Sequence, residues 1–334
     1  MNYTVKSINT MKKFTLLTLM MLVTLATQAQ SYSFRVLASN GKVLSKANNK
    51  RLWAGSTVKS TDQIVLAPNA YLGLIHTNGK TIELKKAGTY KVSTLAAKVS
   101  GRQSSTTAKY VNYVVGEMAK ADKEDINKNH RKYMAITGSV ERSVQGIVKA
   151  YLPGNSENIE LFGDELYLKL YPADPAKKYD TYEVRVLDMV NKEVAKYTTE
   201  EDLVKIDLAK LPYKYDKSWI IYVTAVGEDD PLGPSQYNVS ILEEGDKYTV
   251  VKKEIEAGSD EANALDKIVQ AGVYEQEGLL ADAVRSYEEA IALQPDVDTY
   301  KIAYKDFLVR TKILPLQVNP DVKAEDLVKE EESK

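Results

Sequence analysis

The imidazole chemistry of this chain rests on two residues, His76 and His130, in different segments. No His pair stands at ligand spacing, so a histidine-based metal site is not expected. A Ser-His-Asp triad would have to draft one of the two, and neither has a nucleophile elbow to serve. Cysteine is absent, which removes disulfides, zinc ribbons and thiol nucleophiles. The dinucleotide glycine fingerprint and the phosphate-binding P-loop are missing as well. Carboxylates are the remaining acid–base reservoir, with 46 Asp+Glu in the chain. Glu165, Glu183 and Glu193 fall on strand-like stretches and are the natural pair-formers for a carbohydrate-active enzyme, a remote reading without a recognisable cleft. The residues therefore predict no enzyme: no catalytic residue, no cofactor and no metal.

Binding chemistry is better represented. The chain has 22 Tyr against 4 Phe, and tyrosine suits elements with one wet side, because its ring buries while its hydroxyl stays hydrated. Charge is divided unevenly. Residues 30–120 hold 14 Lys+Arg against 3 Asp+Glu, and residues 121–334 hold 28 against 43. Such a split favours an acidic partner for the first part, or docking of the two parts on each other. Lys80, Lys85 and Lys86 flank an Asn78-Gly79 turn and are the expected part of a contact face. A merely solvated surface is the plainer alternative. Nucleic acid is not expected, since few aromatics are interleaved with the lysines. An anionic envelope polymer fits better.

The elements that must position these residues follow from the pattern. Lys12 and Lys13 precede an apolar run from Phe14 to Leu25, and Thr27-Gln28-Ala29 offers small residues for cleavage. That layout is a secretory signal over residues 1–29, with Met11 the better start, and the run is too short to span a bilayer. The leader is similar to those of Gram-negative exported proteins, which implies the periplasm or the outer-membrane surface. No transmembrane helix is expected after cleavage.

Residues 30–100 read as short strands. Asn40-Gly41 and Asn78-Gly79 separate alternating runs, and Asn-Gly is a strong hairpin signal because both residues tolerate positive φ. Leu72 and Leu74 share one face, and Ile82 and Leu84 return inward. The opening hairpin, the Leu52 to Gly55 step, Asn78-Gly79-Lys80 and the closing strand resemble the FecR-type domain, which implies an extracytoplasmic β domain. Residues 101–146 are a connector with a helix at 108–121, its apolar side made by Tyr110, Val114, Val115 and Met118. Residues 147–255 alternate at sandwich spacing, in strands that include 165–171, 182–187, 218–226 and 248–251. Trp219 heads what looks like a central strand of an immunoglobulin or fibronectin type III sandwich, with the ring read as core.

Residues 256–315 are helical. Leu265, Ile268, Val269, Val273 and Tyr274 form one amphipathic stripe, and Ala283, Val284, Tyr287, Ala290, Ile291 and Leu293 another. Gly278 permits a left-handed cap between them, and Pro295 ends the second helix. Ala271, Tyr274, Gly278, Ala283, Tyr287, Ala290 and Pro295 resemble a tetratricopeptide repeat, while Lys267 and Gln270 stand where that family has Trp and Leu. The resemblance implies docking of a protein or peptide, with Tyr274 and Tyr287 on the contact face. Simple packing of the hairpin on its neighbours is equally open, since one repeat cannot bury its own face. The tail, 316–334, is acidic and expected to be disordered.

The fold class expected is a multidomain α+β chain: a small β domain, an antiparallel β-sandwich and a C-terminal helical hairpin. The expected function is an exported, non-catalytic binding or scaffold protein of the cell envelope. Its partner would be an envelope protein or peptide, with an anionic polymer as the second class. Mass spectrometry of the mature protein should find a chain beginning near Gln30; a retained Met11 in an envelope fraction would replace secretion by an anchor.

Overall fold

Strand β1 (Phe34–Asn40) is buried along almost its whole length, which a surface strand with one wet face would not be. The computed structural model describes residues 33–99, 108–123, 146–153, 158–213, 217–256 and 263–314. The leader, the 100–107 linker, His130, the 138–145 connection and the acidic tail lie outside these residues.

β1 pairs with β3 (Thr57–Val58) and β5 (Tyr71–His76), and β5 pairs with β6 (Thr81–Leu84), all antiparallel. A second small sheet joins β2 (Val43–Ser45), β4 (Gln63–Leu66) and β7 (Gly88–Lys91) in the order β2-β4-β7. Phe34, Val36, Val43, Ile64, Leu66, Leu72, Leu74 and Leu84 fill the space between the two sheets. Helix α1 (Val92–Val99) closes that core with Val92, Leu95 and Val99. Asn78-Gly79 joins β5 to β6 as the hairpin signal predicts, with Gly79 at φ +87°. Asn40-Gly41 does not make the expected hairpin: Gly41 takes φ +73°, but the chain there crosses from one sheet to the other, and β2 pairs with β4 and not with β1.

The other face of β1 and β5 is also apolar. Leu37, Ala38, Tyr71 and Ile75 belong to a second core, shared with helices from distant parts of the chain. A bulge between Val36 and Ala38 lets the consecutive Leu37 and Ala38 both serve this second core. The helix expected at 108–121 is α2 (Ala108–Lys123), and Tyr110, Val114, Val115 and Met118 are all buried. Val114, Val115 and Met118 face this second core, so the connector packs over β1.

The residues after 146 build two facing sheets. One has the order β13-β10-β8, from β8 (Val148–Ala150), β10 (Glu165–Pro172) and β13 (Leu203–Asp207). The other has the order β12-β11-β14-β15-β9, from β9 (Ile159–Leu161), β11 (Tyr182–Asp188), β12 (Glu193–Thr199), β14 (Ser218–Ala225) and β15 (Ser235–Ile241). β14 alternates cleanly, with Trp219, Ile221, Val223 and Ala225 inward. The Trp219 indole is 1% exposed and donates to the Pro212 carbonyl at 3.1 Å, so it is core. β9 runs parallel to β15, the one pairing among the described strands of these sheets that is not antiparallel.

The strand expected at 248–251 is instead part of helix α3 (Asp246–Glu256). Four alternating residues fit either period; here the backbone N–H and hydroxyl of Thr249 both bond the Gly245 carbonyl and start a helical turn. Val251 is then fully buried on the helical side.

Helices α4 (Ala264–Gln276), α5 (Leu280–Leu293) and α6 (Asp298–Arg310) complete the chain. Asn263 caps α4, its side-chain Oδ1 accepting from the Asp266 N–H at 2.9 Å. Gly278, at φ +74°, ends α4: the Leu279 N–H reaches the Tyr274 carbonyl and the Gly278 N–H that of Glu275. These two bonds are the Schellman pattern that the glycine makes accessible. No helix among the described residues is long and apolar enough to cross a membrane. The architecture is α+β, with several antiparallel sheets and C-terminal helices.

Two glycines in helices separate propensity from packing. A Cβ on Gly272 of α4 would stand 2.3 Å from Val114 Cγ2 of α2, while one on Gly116 of α2 would meet nothing within 4 Å. Gly272→Ala should lower stability by about 1–3 kcal/mol, because the branched Val114 cannot yield in a closed core. Gly116→Ala should raise stability by up to about 1 kcal/mol through helix propensity. Denaturant midpoints that move in the same direction for both variants would contradict this packing.

Candidate functional site

The helical layer carries the sharpest sequence pattern, and its tyrosines were the expected contact face. Tyr274 on α4 and Tyr287 on α5 are 2% and 3% exposed. The Tyr274 ring lies against Phe162, from the turn between β9 and β10, with centroids 6.1 Å apart. Tyr287 stacks on Tyr304 at 5.3 Å and meets Phe307 at 5.2 Å, both on α6. Burial pushes both phenols upward, so the hydroxyls stay protonated. The chain itself therefore occupies the surface on which a partner was expected to meet these two residues. Leu293, expected on the buried face of α5, is 46% exposed.

Polar groups that the sequence did not single out lie between these helices. Arg310, at the end of α6, grips Glu275 of α4 with two bonds, Nε to Oε1 at 2.7 Å and Nη2 to Oε2 at 2.6 Å. Its Nη1 also reaches Asp306 at 2.6 Å and Glu117 of α2 at 3.2 Å. Burial would lower the guanidinium pKa, but the Glu275 hydrogen bond and the surrounding charges raise it instead. One arginine thus ties together three helices, α2, α4 and α6. Removing one partner from such a half-dry cluster costs about 3–5 kcal/mol, against about 0–1 kcal/mol for an exposed pair.

Asp282 of α5 does the same between helices and sheets. Its carboxylate is fully buried and accepts from the Phe162 N–H at 2.7 Å and the Gly163 N–H at 3.2 Å. Arg285, one turn on, donates to it at 3.0 Å. A Cβ on Gly163 would lie 2.8 Å from the Arg285 guanidinium, so a side chain there would push that guanidinium from its place. A second tie runs to the first sheets: the Thr81 hydroxyl donates to Asp266 at the start of α4. Tyr71 of β5 and Tyr300 of α6 share a hydrogen bond of 2.7 Å. The only signal in the sequence for Asp266 and Asp282 is a carboxylate placed inside an apolar stripe.

The remaining candidates are scattered. Lys85 and Lys86 are exposed, and Lys80 is half-buried. Lys85 pairs with Glu83 at 2.6 Å. The Lys80 N–H bonds the Asn78 side chain at 3.1 Å, so that residue is fixed by the turn. His76 is half-buried, its ring edge-on to Phe34 and its Nδ1 accepting from the Asn78 N–H. Glu165 lies in a different sheet from Glu183 and Glu193, and these two occupy opposite ends of the β11–β12 ladder. The three therefore do not converge. Glu183 is bound to Lys196 at 2.7 Å. Among the described residues no His/Cys/Asp/Glu group could hold a metal ion. The chain matches no protein-family model and no curated protein sequence.

The buried Asp282 predicts a pH signature. Burial pushes its carboxyl up to about 6, against the pull of Arg285 and the two backbone N–H groups. The folded value lies above that of an unfolded Asp, so the folded state holds the proton more tightly. Its contribution is fully present below about pH 4 and lost as pH rises through about 6. Relative to Asp282→Asn, the parent should gain up to about 3 kcal/mol as pH falls from 7 to 4. Paired unfolding curves across that window check this; a difference that stays flat or shrinks on acidification contradicts it.

Proposed function

We propose that this chain is an exported, non-catalytic binding and scaffold protein of the cell envelope. In this reading a FecR-like β domain and an immunoglobulin- or fibronectin-like sandwich are joined by tetratricopeptide-like helices. The partner is an envelope protein or peptide.

The observation that carries the reading is the use of the helical faces. Leu265 of α4 lies against Gly73 of β5, where a Cβ would meet it at 2.5 Å. Ala281 of α5 belongs to the core of the facing sheets, and Tyr287 is covered by α6. Helices whose apolar sides are taken up internally, Val250 and Leu293 apart, act as mortar between the β parts. Contact with other molecules is then left to the β parts, which expose Trp53 at 44%, Met189 at 49% and Tyr213 at 51%. Export is supported by the lysine, apolar and small-residue order of residues 1–29.

Photo-crosslinking residues placed at Trp53, Met189 and Leu293 in the native protein test this. One envelope protein should be captured reproducibly from Trp53 or Met189, and not from Leu293 on helix α5. Capture confined to the helix, or turnover of a glycan panel by the purified protein, would overturn the reading.

A further inference from the structure

The outer face of the β2-β4-β7 sheet joins positive charge to an exposed aromatic ring. Residues directly opposite in an antiparallel ladder point to the same side, and the ladders fix the set. Val43, Ile64 and Leu66 point into the core. The alternate positions, Leu44 and Val65, therefore point outward as a directly opposed pair, and Thr89 lies opposite Val65. Arg51 extends this row through an isolated bridge to Leu44. One step along, Gln63 stands opposite Lys91 and accepts from the Lys46 ammonium at 3.2 Å. On the other side Lys42 is joined to Ala67 by a backbone bond. The result is a face with Leu44 and Val65 half-buried at the centre, and exposed Lys42, Lys46, Arg51 and Lys91 around them. Trp53 stands at its edge, 44% exposed, with the Arg51 guanidinium 3.8 Å from its ring centroid.

Among the described residues no ion pair takes up Lys42, Lys46, Arg51 or Lys91, and Asp122 of α2, which comes near Trp53, accepts from the Ala54 N–H at 3.1 Å. The carboxylates of residues 33–99 are Asp62 and Glu83. Asp62 accepts from the Lys59 N–H, and Glu83 is taken by Lys85 and Tyr71. Strands lie about 4.8 Å apart, so Lys46 and Lys91, two strands apart, are separated by about 10 Å at their backbones. A ligand for this face must be extended, repeatedly negative, and able to lay an apolar surface on an indole.

We propose that this face binds an acidic polysaccharide, a chain of sugar rings carrying carboxylates. The ring faces of such a polymer suit Trp53 and the Leu44–Val65 centre, while its carboxylates meet Lys42, Lys46, Arg51 and Lys91. Neutral Gln63 and Thr89 supply hydrogen bonds between the charges. The proposal does not depend on the protein partner proposed above.

The test uses the whole mature protein, because residues 33–99 alone would uncover the apolar Leu37, Tyr71 and Ile75. Polygalacturonate serves as the probe and uncharged dextran as the blank. Binding to polygalacturonate and not to dextran is expected, with release as salt screens the charges. The triple variant K42E/K46E/K91E should lose at least tenfold in affinity. W53A, which removes no charge, should lose severalfold. K177E/K178E/K192E makes the same charge change on exposed lysines of the second β part and should lose less than twofold. Thermal unfolding confirms that each variant is folded. The proposal fails if the parent does not bind, if W53A binds like the parent, or if the two triple variants lose equally. Tighter binding to an oligodeoxythymidylate than to polygalacturonate would also overturn it.

Discussion

Leu265 reaches into a gap that Gly73 leaves on the outer face of β5, and the organisation of the chain hangs on covering that face. β1 and β5 are apolar on both sides, so one side needs a partner from elsewhere. Burying a side chain the size of Leu37, Tyr71 or Ile75 is worth about 1.5–3 kcal/mol. Domains are stable by only about 5–15 kcal/mol in total, so leaving that face wet would consume much of the margin. Helices α2, α4 and α6 supply the cover, and they come from positions on both sides of the larger β part. The chain order of the elements is therefore not their packing order.

Apolar cover is non-directional, and the buried charges supply the direction. Arg310 fixes α6 against α4 and α2 through Glu275 and Glu117, and Asp306 of its own helix holds it in place. Asp282 fixes α5 to the β9–β10 turn by accepting from two backbone N–H groups. Asp266 with Thr81 fixes α4 to β6. Each pairing places a polar group where a shifted helix would leave it buried and unpaired, a cost of about 1–3 kcal/mol or more. These groups set the register of the helical layer against both β parts.

This arrangement also separates the surfaces open to other molecules from those that are not. The tyrosines that draw attention in the helices are internal, and so is Trp219. The exposed lysines of the first β part have few acids beside them, since Asp62 and Glu83 are the carboxylates of residues 33–99. The binding functions proposed here belong to the sheets, with the helices holding the sheets in place.

The sequence by itself determined the local elements. Period-two runs placed most strands, Asn78-Gly79 placed a hairpin turn, and Gly278 and Pro295 placed the ends of two helices, because these signals act over a few neighbouring residues. Asn40-Gly41 carries the same local signal, yet which sheet the next strand joins is decided by packing and not by the turn. The stretch at 248–251 was ambiguous for the same reason: four residues cannot distinguish a strand from a helical turn whose start is set by Gly245. Only the tertiary structure decided where the apolar stripes are used. Tyr274 and Tyr287 have the same hydrophobicity whether they meet a foreign peptide or Phe162 and Tyr304, and no local pattern records which. The same holds for Asp282 and Arg310, whose partners are brought within hydrogen-bonding distance only when the sheets and helices pack.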